Sequence, residues 1–209
     1  MNIIIRNETK DDYKKSENLT REAFWNVYRP GCTEHFVLNK FRESKNYIPE
    51  LSFVMEKDGE MIGHVMYAHL HIKSYDGKTI PIMTFGPISI APEYKRQGYG
   101  TRLLRYSMQK AKEMGGKALA ITGNIDFYGK SGFILASEKG IRYADAEPND
   151  RVVPYFLIKE LEDGFLDNIS GTYSDPEEYF AAEKYPEEFE KYESQFPPKN
   201  KETLPCQLG

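Results

Sequence analysis

Hydrophobic and polar residues alternate through the middle of the chain with the two-residue period of β-strands. Leu51–Glu56 and Met61–Lys73 have this pattern, and they flank the turn Lys57–Glu60, in which Asp-Gly is a strong hairpin signal. Ile80–Ile90 resumes the alternation after a second Asp-Gly turn at Tyr75–Lys78. The pattern therefore predicts three consecutive antiparallel strands. Within the last of them, Gly86-Pro87 predicts a bulge or a strand edge, because proline cannot donate to the sheet.

A strand and two helices are predicted before this sheet. Asn2–Arg6 is a short apolar run, and Thr9 then offers a hydroxyl cap to the first helix. The apolar stripe of that helix keeps the 3.6-residue period until Arg29-Pro30-Gly31 and contains Ser16, Leu19, Ala23, Phe24 and Val27. A second helix is predicted over Glu34–Ser44.

A strand-helix-strand unit follows Ile90. Ala118–Thr122 is a short apolar run, typical of a buried parallel strand, so the loop before the helix lies at the C-terminal end of a strand. The helix is predicted over Thr101–Met114, and its buried face contains Leu103, Leu104, Ser107, Met108 and Ala111. A short helix over Asp126–Ser131 and strands over Phe133–Ser137 and Val153–Lys159 complete the pattern. Together these elements predict an α/β (α+β) fold with a mixed, mostly antiparallel central sheet flanked by helices.

The acidic C-terminal segment has an aromatic stripe at helical spacing. Its members are Tyr185, Phe189, Tyr192 and Phe196, and Pro186 suits the first turn of a helix. We therefore expect a domain over residues 1–160 and a helical extension over residues 161–209. The extension packs on that domain or against a second subunit, which would form a homodimer.

Composition and charge exclude several classes of function. A chain of 209 residues with 40% hydrophobic residues is long enough for one packed domain with an appendage. The net charge of −4 gives no overall basic field for nucleic acid. Cys32 and Cys206 are too far apart for a disulfide framework or zinc-ligand spacing, and no segment approaches the roughly 18 apolar residues of a membrane span. We expect a soluble, cytoplasmic protein without a metal, nucleic-acid or membrane partner.

The segment with the clearest chemistry joins the strand ending at Ile90 to the helix beginning near Thr101. The free N–H groups of a helix N-terminus attract an anion. Glycine at positions 98 and 100 lets the backbone approach a phosphate and adopt positive φ angles. The segment reads Lys95, Arg96, Gln97, Gly98, Tyr99, Gly100 and Thr101.

Two well-known nucleotide-binding patterns do not match this segment. The Walker pattern requires a lysine after its second glycine, which is absent here. The dinucleotide pattern requires a third glycine at position 103, which is Leu103. The loop therefore predicts a pyrophosphate site of another kind.

Two segments resemble the GNAT superfamily of N-acetyltransferases. The family's acetyl-CoA loop reads Gln/Arg-x-x-Gly-x-Gly/Ala, and here Lys95–Gly100 departs from it only at its first residue. Asn124–Phe133 resembles the family's segment after the fifth strand, where an aromatic-Tyr pair, here Phe127 and Tyr128, precedes Gly-Phe. The resemblance covers roughly residues 2–160 and implies acetyl-CoA as the co-substrate.

The resemblance also implies a role for each matching residue. Backbone groups of Ile88, Ser89 and Ile90 would pair with the pantetheine arm, Asn124 and Phe127 would contact the arm, and Tyr128 would stabilise the leaving thiolate. The pyrophosphate would be held by the loop residues Lys95, Arg96, Gln97, Gly98, Tyr99, Gly100 and Thr101.

The acceptor is less specified than the donor. The resemblance implies a primary amine on a small molecule, a peptide N-terminus or a lysine. The sequence leaves the general base open among water and the side chains of Glu22, Glu34, Glu56, His64, His69 and His71. An alternative function, a non-catalytic acyl-CoA sensor, would keep the loop but would not need a leaving-group donor.

Overall fold

The computed structural model describes residues 2–144, 146, 152–205 and 207, which form helices and a mixed sheet. The described strands are β1 Ile3–Asn7, β2 Tyr47–Lys57, β3 Glu60–Ser74, β4 Thr79–Ile90, β5 Ala118–Thr122, β6 Ile134–Leu135, β7 Ile141–Tyr143, β8 Phe156–Glu160 and β9 Gly171–Tyr173. The described α-helices are α1 Tyr13–Phe24, α2 Glu34–Phe41, α3 Tyr99–Glu113, α4 Ile125–Tyr128, α5 Ala181–Lys184 and α6 Pro186–Glu193.

The sheet is mixed and mostly antiparallel. Its strand order is β1-β2-β3-β4-β5-β8-β6, and β9 pairs with β3 and β7. The pairs β1–β2, β3–β9, β5–β8 and β6–β8 are antiparallel, whereas β4–β5 and β7–β9 are parallel. The parallel pairing of β4 with β5 joins Met83 to Leu119. The predicted fold class is confirmed.

Contacts between residues divide the chain into two compact units. The first contains Met1–Met66, Gly86–Leu103 and Pro176–Gly209, and the second contains Tyr67–Phe85 and Leu104–Asp175. Strands β3 and β4 and helix α3 each run from one unit into the other. The domain boundary at residue 160 stays a prediction.

Strand β5 and helix α3 agree closely with their predictions. The strand has the predicted bounds Ala118–Thr122, and its first four side chains are buried, as expected for a strand with a neighbour on each side. The whole predicted face of α3 is buried, namely Leu103, Leu104, Ser107, Met108 and Ala111.

The first helix is shorter than predicted, and the prediction of a buried Val27 is wrong. Helix α1 ends at Phe24, and the side chain of Val27 is 36% exposed. The cause is Asn26, which adopts a left-handed φ of 57°. Its N–H donates to the Gly31 carbonyl at 2.9 Å, and its Oδ1 accepts from the Gly31 N–H at 2.7 Å. This local loop replaces the last helical turn, since asparagine tolerates the left-handed region better than most residues.

Phe189 and Tyr192 of the predicted aromatic stripe lie in helix α6, and Phe196 follows just after its end. Tyr192 and Phe196 are buried and form one hydrophobic cluster with Phe36 of α2 and Ala181 of α5. Tyr185 precedes the helix and remains 54% exposed. The helix therefore buries the later part of the predicted stripe against α2.

A buried ionic cluster joins α6 to α1 and α2. The Arg21 side chain is only 1% exposed, and its Nη2 and Nε lie 2.5 and 3.0 Å from Oε1 of Glu193. The Nε2 of His35 lies 2.7 Å from the other carboxylate oxygen. Burial alone would raise the pKa of Glu193, but the hydrogen bonds from His35 and Arg21 lower it to about 2. Burial lowers the pKa of His35, so its neutral form is favoured.

We expect Glu193→Gln to lower the free energy of unfolding by about 3 kcal/mol or more, because it leaves a buried guanidinium without its counter-charge. Urea unfolding at neutral pH would measure this loss. Glu183→Gln is the matched control, since its ion pair with Arg29 is exposed on both sides and is worth at most about 1 kcal/mol.

The difference between wild type and Glu193→Gln should also depend on pH. A carboxylate with a lowered pKa stabilises the folded state fully above its unfolded pKa of about 4.3. This contribution is lost as the pH falls from there toward 2. A difference in unfolding free energy that stays constant between pH 7 and pH 3 would contradict the role of the Glu193 charge.

Candidate functional site

The end of β4 carries the three residues expected to contact the pantetheine arm. Ser89 is buried, and its hydroxyl lies 2.9 Å from the hydroxyl of Thr20 on α1. Ile88 and Ile90 are half-buried. The hydrogen bond between Ser89 and Thr20 fixes this end of the strand against α1 just before the chain turns toward α3.

Two left-handed residues make the turn between β4 and α3. Arg96 has a φ of 59° and Gly98 a φ of 86°. The N–H of Arg102 donates to the Gly98 carbonyl at 3.0 Å, so helical hydrogen bonding starts at that carbonyl. The N–H groups of Tyr99–Thr101 therefore have no partner within the helix, as in any first helical turn. Residues 95–98 are exposed, which leaves this end of α3 accessible to an anion.

The structure assigns different roles to the two glycines of the loop. The expected positive φ is confirmed at Gly98. Gly100 instead lies in the first turn of α3, and Arg96 supplies the other left-handed residue. The left-handed φ of Arg96 was not predicted, because arginine has no particular preference for positive φ.

Two side chains of the loop are directed toward protein carbonyls. The Lys95 ammonium donates to the Ala23 carbonyl near the end of α1, and desolvation lowers the pKa of Lys95. The Gln97 amide donates to the Glu93 carbonyl at 2.8 Å. These contacts brace the loop and engage the Lys95 and Gln97 side chains with protein carbonyls.

In the second unit, Asn124 caps the short helix α4 directly after β5. Its Oδ1 accepts from the Asp126 N–H at 2.8 Å, and its carbonyl accepts from the N–H groups of Phe127 and Tyr128 at 3.1 Å. The cap orients the first turn of α4, from which Tyr128 projects. Asn124 thus fixes the aromatic pair and keeps its side-chain NH₂ as a donor.

The ring of Tyr128 lies on a glycine. A Cβ atom added at Gly123 would be 2.3 Å from Cε2 of Tyr128, which is far inside van der Waals contact. The ring also packs against Phe127, Phe133 and Phe85, with centroid separations of 4.8, 5.6 and 5.9 Å. Gly123 is a positioning residue that sequence reasoning missed, and its place between β5 and the cap of α4 was the available signal.

Most of the side chains considered as general bases either pair with another charged or titratable side chain or are exposed to solvent. His64 is buried beside Glu8, with 3.2 Å between its Nε2 and the carboxylate, and Glu56 accepts from Arg6. Glu22 pairs with Lys199. His69 and His71 are exposed on β3.

Glu34 differs from these side chains. Burial raises its pKa, while hydrogen bonds from its own N–H and that of Thr33, and the nearby Arg29, oppose this shift. The Thr33 N–H lies 2.9 Å from Oε2. A carboxylate whose pKa is raised is a better proton acceptor than an ordinary one.

The described residues contain no group of three or more His, Cys, Asp or Glu side chains suited to hold a metal ion. No helix in this part of the chain is long and apolar enough to cross a membrane. Cys32 is a buried free thiol, and Cys206 lies outside the described residues.

Known proteins resemble this chain in sequence and in structure. The Escherichia coli K12 protein named uncharacterized N-acetyltransferase YjhQ is 28% identical over 100 residues, a match that spans 47% of this chain and 54% of that protein. The chain thus matches about half the length of this curated relative.

Two solved structures share the fold. The GNAT family N-acetyltransferase YhbS from Escherichia coli, solved in complex with CoA, has a TM-score of 0.72 at 22% identity, covering 85% of this chain and 91% of that one. A GNAT family acetyltransferase from Brucella melitensis, solved with acetyl-CoA, has a TM-score of 0.66 at 22% identity, covering 85% and 98%.

The sequence profile described as the acetyltransferase (GNAT) family matches residues 17–133. This match includes most of α1, β2 to β5, the left-handed turn before α3, and the Gly123–Tyr128 segment. Because it covers more than half of the 209 residues, the chain belongs to the GNAT family of acetyltransferases.

Proposed function

We propose that this protein transfers an acetyl group from acetyl-CoA to a primary amine by direct attack in a ternary complex. The amine belongs to a small molecule, a peptide N-terminus or a lysine. The observation that carries the proposal is the exposed turn in which Arg96 and Gly98 present the N-terminus of α3. We place the reaction in the cytoplasm, a reducing compartment that suits the free thiol of Cys32.

The donor is bound mainly by backbone groups. The N–H groups of residues 96–100, with Thr101, bind the pyrophosphate, whose negative charge is stabilised by the positive end of the α3 dipole. The backbone of residues 88–90 pairs with the pantetheine arm, and Asn124 and Phe127 contact the same arm. Family membership supports this assignment, as do the CoA and acetyl-CoA complexes of the two related structures.

The reaction requires an oxyanion donor and a stabilised leaving group. The uncharged amine attacks the thioester carbon, and an N–H near Ile88 or Ser89 donates to the developing oxyanion. The carbon–sulfur bond then breaks, the amine gives up one proton to water or a protein base, and the Tyr128 hydroxyl donates a hydrogen bond to the thiolate. Complete proton transfer from tyrosine to sulfur is uphill by about 2 kcal/mol at reference pKa values of about 10 and 8.5. Hydrogen bonding to the sulfur therefore contributes more than proton delivery.

Release of free thiol from acetyl-CoA tests the function directly. The full chain is incubated with acetyl-CoA and a panel of amines: small diamines, peptides with a free N-terminus, and peptides whose only amine is a lysine side chain. An aromatic disulfide reagent then detects the thiol. We expect amine-dependent release with at least one class. Tight CoA binding without thiol release for any amine would contradict the proposed enzyme activity and favour the acyl-CoA sensor.

Gly98→Val should abolish CoA binding, because a β-branched residue rarely adopts a φ of 86° and the turn must change. The measurement is the CoA-induced rise in melting temperature, which requires binding to the folded state. Gly77→Val is a matched control, since Gly77 has a φ of 87° and, like Gly98, has no atom within 4 Å of an added Cβ. The control should lose stability but keep the CoA-induced rise. An undiminished rise in Gly98→Val would refute the loop assignment.

Tyr128→Phe should lower turnover by about a hundredfold while leaving CoA binding nearly intact, because the phenyl ring keeps the packing but loses the donor to the thiolate. Steady-state thiol release and the CoA-induced melting shift would measure the two effects separately. Tyr75→Phe serves as the control, since Tyr75 is 64% exposed and lies in the turn between β3 and β4, far from Tyr128 in sequence. Wild-type turnover in Tyr128→Phe would remove Tyr128 from the mechanism.

Gly123→Ala should reproduce most of the turnover loss of Tyr128→Phe, because the added methyl group displaces the Tyr128 ring. The control is Gly129→Ala, whose Cβ would lie 3.5 Å from its nearest neighbour and should leave turnover unchanged. The double variant of Gly123 and Tyr128 should be no slower than Tyr128→Phe alone. A folded Gly123→Ala protein with wild-type turnover would show that the ring position does not matter.

A further inference from the structure

The C-terminal segment places a tyrosine against the strand that is expected to bind the thioester. Tyr179 lies in a 3₁₀ turn over Glu177–Phe180, before α5. A Cβ added at Gly86 of β4 would lie 3.3 Å from the Tyr179 hydroxyl oxygen. The phenol tip therefore rests on the strand backbone, where a glycine leaves room for it.

A ring contact and a backbone hydrogen bond position Tyr179. It meets Phe41 of α2 edge to face, with a centroid separation of 5.5 Å and an interplanar angle of 76°. Its N–H donates to the carbonyl of buried Pro176 at 3.1 Å, which closes the turn. These contacts hold the hydroxyl in a defined place at β4.

Helices α5 and α6 anchor the segment that carries Tyr179. Glu193 on α6 binds the buried Arg21 and His35, and Lys40 on α2 pairs with Glu188. These contacts join α6 to α1 and α2. The segment that carries Tyr179 is therefore packed into the first unit.

Strand geometry brings this hydroxyl close to the expected reaction centre. Gly86 precedes Ile88 by two residues on the same strand, β4. Under the proposed function, an N–H near Ile88 or Ser89 faces the thioester oxygen. A hydroxyl at Gly86 therefore lies on the same strand as that N–H, next to the expected reaction centre. Tyr179 is half-buried.

We propose that Tyr179 is an acceptor-binding residue, a role that rests on the proposed acetyl transfer. Its phenol oxygen accepts a hydrogen bond from one N–H of the uncharged primary amine. The amine keeps its lone pair for the thioester carbon, so the contact orients the nucleophile without blocking it. Tyr179 lies beyond Phe133, where the family match ends, so this contact belongs to the C-terminal segment of this chain.

Tyr179→Phe tests this role, because it keeps the ring packed on Phe41 and removes only the hydroxyl. We expect kcat/KM for the best amine to fall about five- to tenfold, the effect of one neutral hydrogen bond. The KM for acetyl-CoA, the CoA-induced melting shift and the melting temperature should stay at wild-type values. Tyr185→Phe, a 54% exposed tyrosine of the same segment, is the matched control and should change none of these.

The outcomes separate this proposal from the function on which it rests. Wild-type kcat/KM for every amine in Tyr179→Phe overturns the acceptor role while leaving the acetyltransferase intact. Equal losses of kcat/KM for acetyl-CoA and for the amine, together with a lower melting temperature, would show that Tyr179 has only a structural role. This result would also overturn the acceptor role. If the wild type releases no thiol with any amine, the proposed acetyl transfer is overturned. The acceptor role of Tyr179, which rests on it, is then overturned as well.

Discussion

The charge of Arg21 is the constraint on which the first unit depends. Burying a guanidinium that is 1% exposed is costly without a counter-charge, and the carboxylate nearest to it comes from Glu193, 172 residues later. The C-terminal segment must therefore dock on α1 and α2 for the buried cation to be stable. His35 binds the second carboxylate oxygen, which fixes α6 to both helices. The aromatic contacts of Tyr192 and Phe196 add burial, but the ion pair sets where the helix lies.

Strand β4 connects this docking to the chemistry. In the first unit, its end is held by the hydrogen bond of Ser89 to Thr20 on α1, the helix that also carries Arg21. The Tyr179 tip contacts the same strand at Gly86. The strand then passes into the left-handed turn that opens the N-terminus of α3. Helix packing and the proposed ligand-binding groups thus share one backbone segment, so a loss of rigidity in the C-terminal segment would also affect the strand.

The sequence predicted those structural features that depend only on interactions between neighbouring residues. The bounds of β5 and the buried face of α3 follow from side-chain periodicity, which depends only on neighbouring residues. The left-handed φ of Gly98 follows from the absence of a side chain. Predictions failed where a specific hydrogen bond competed with periodicity, as at Asn26, which ends α1 before Val27 can be buried. The left-handed φ of Arg96 was not predicted for a related reason, since it is imposed by the turn.

The sequence by itself determined the family, the strand-turn-helix that suits a pyrophosphate, and the helical nature of the C-terminal segment. Each of these is encoded over a few neighbouring residues by periodicity, backbone preference and the end of a helix. Only the tertiary structure decided that Tyr128 lies on Gly123, that Glu193 meets Arg21, and that Tyr179 reaches β4. These contacts are distances of a few ångströms between specific atoms, two of them across long stretches of chain, and composition and spacing carry no information about such distances.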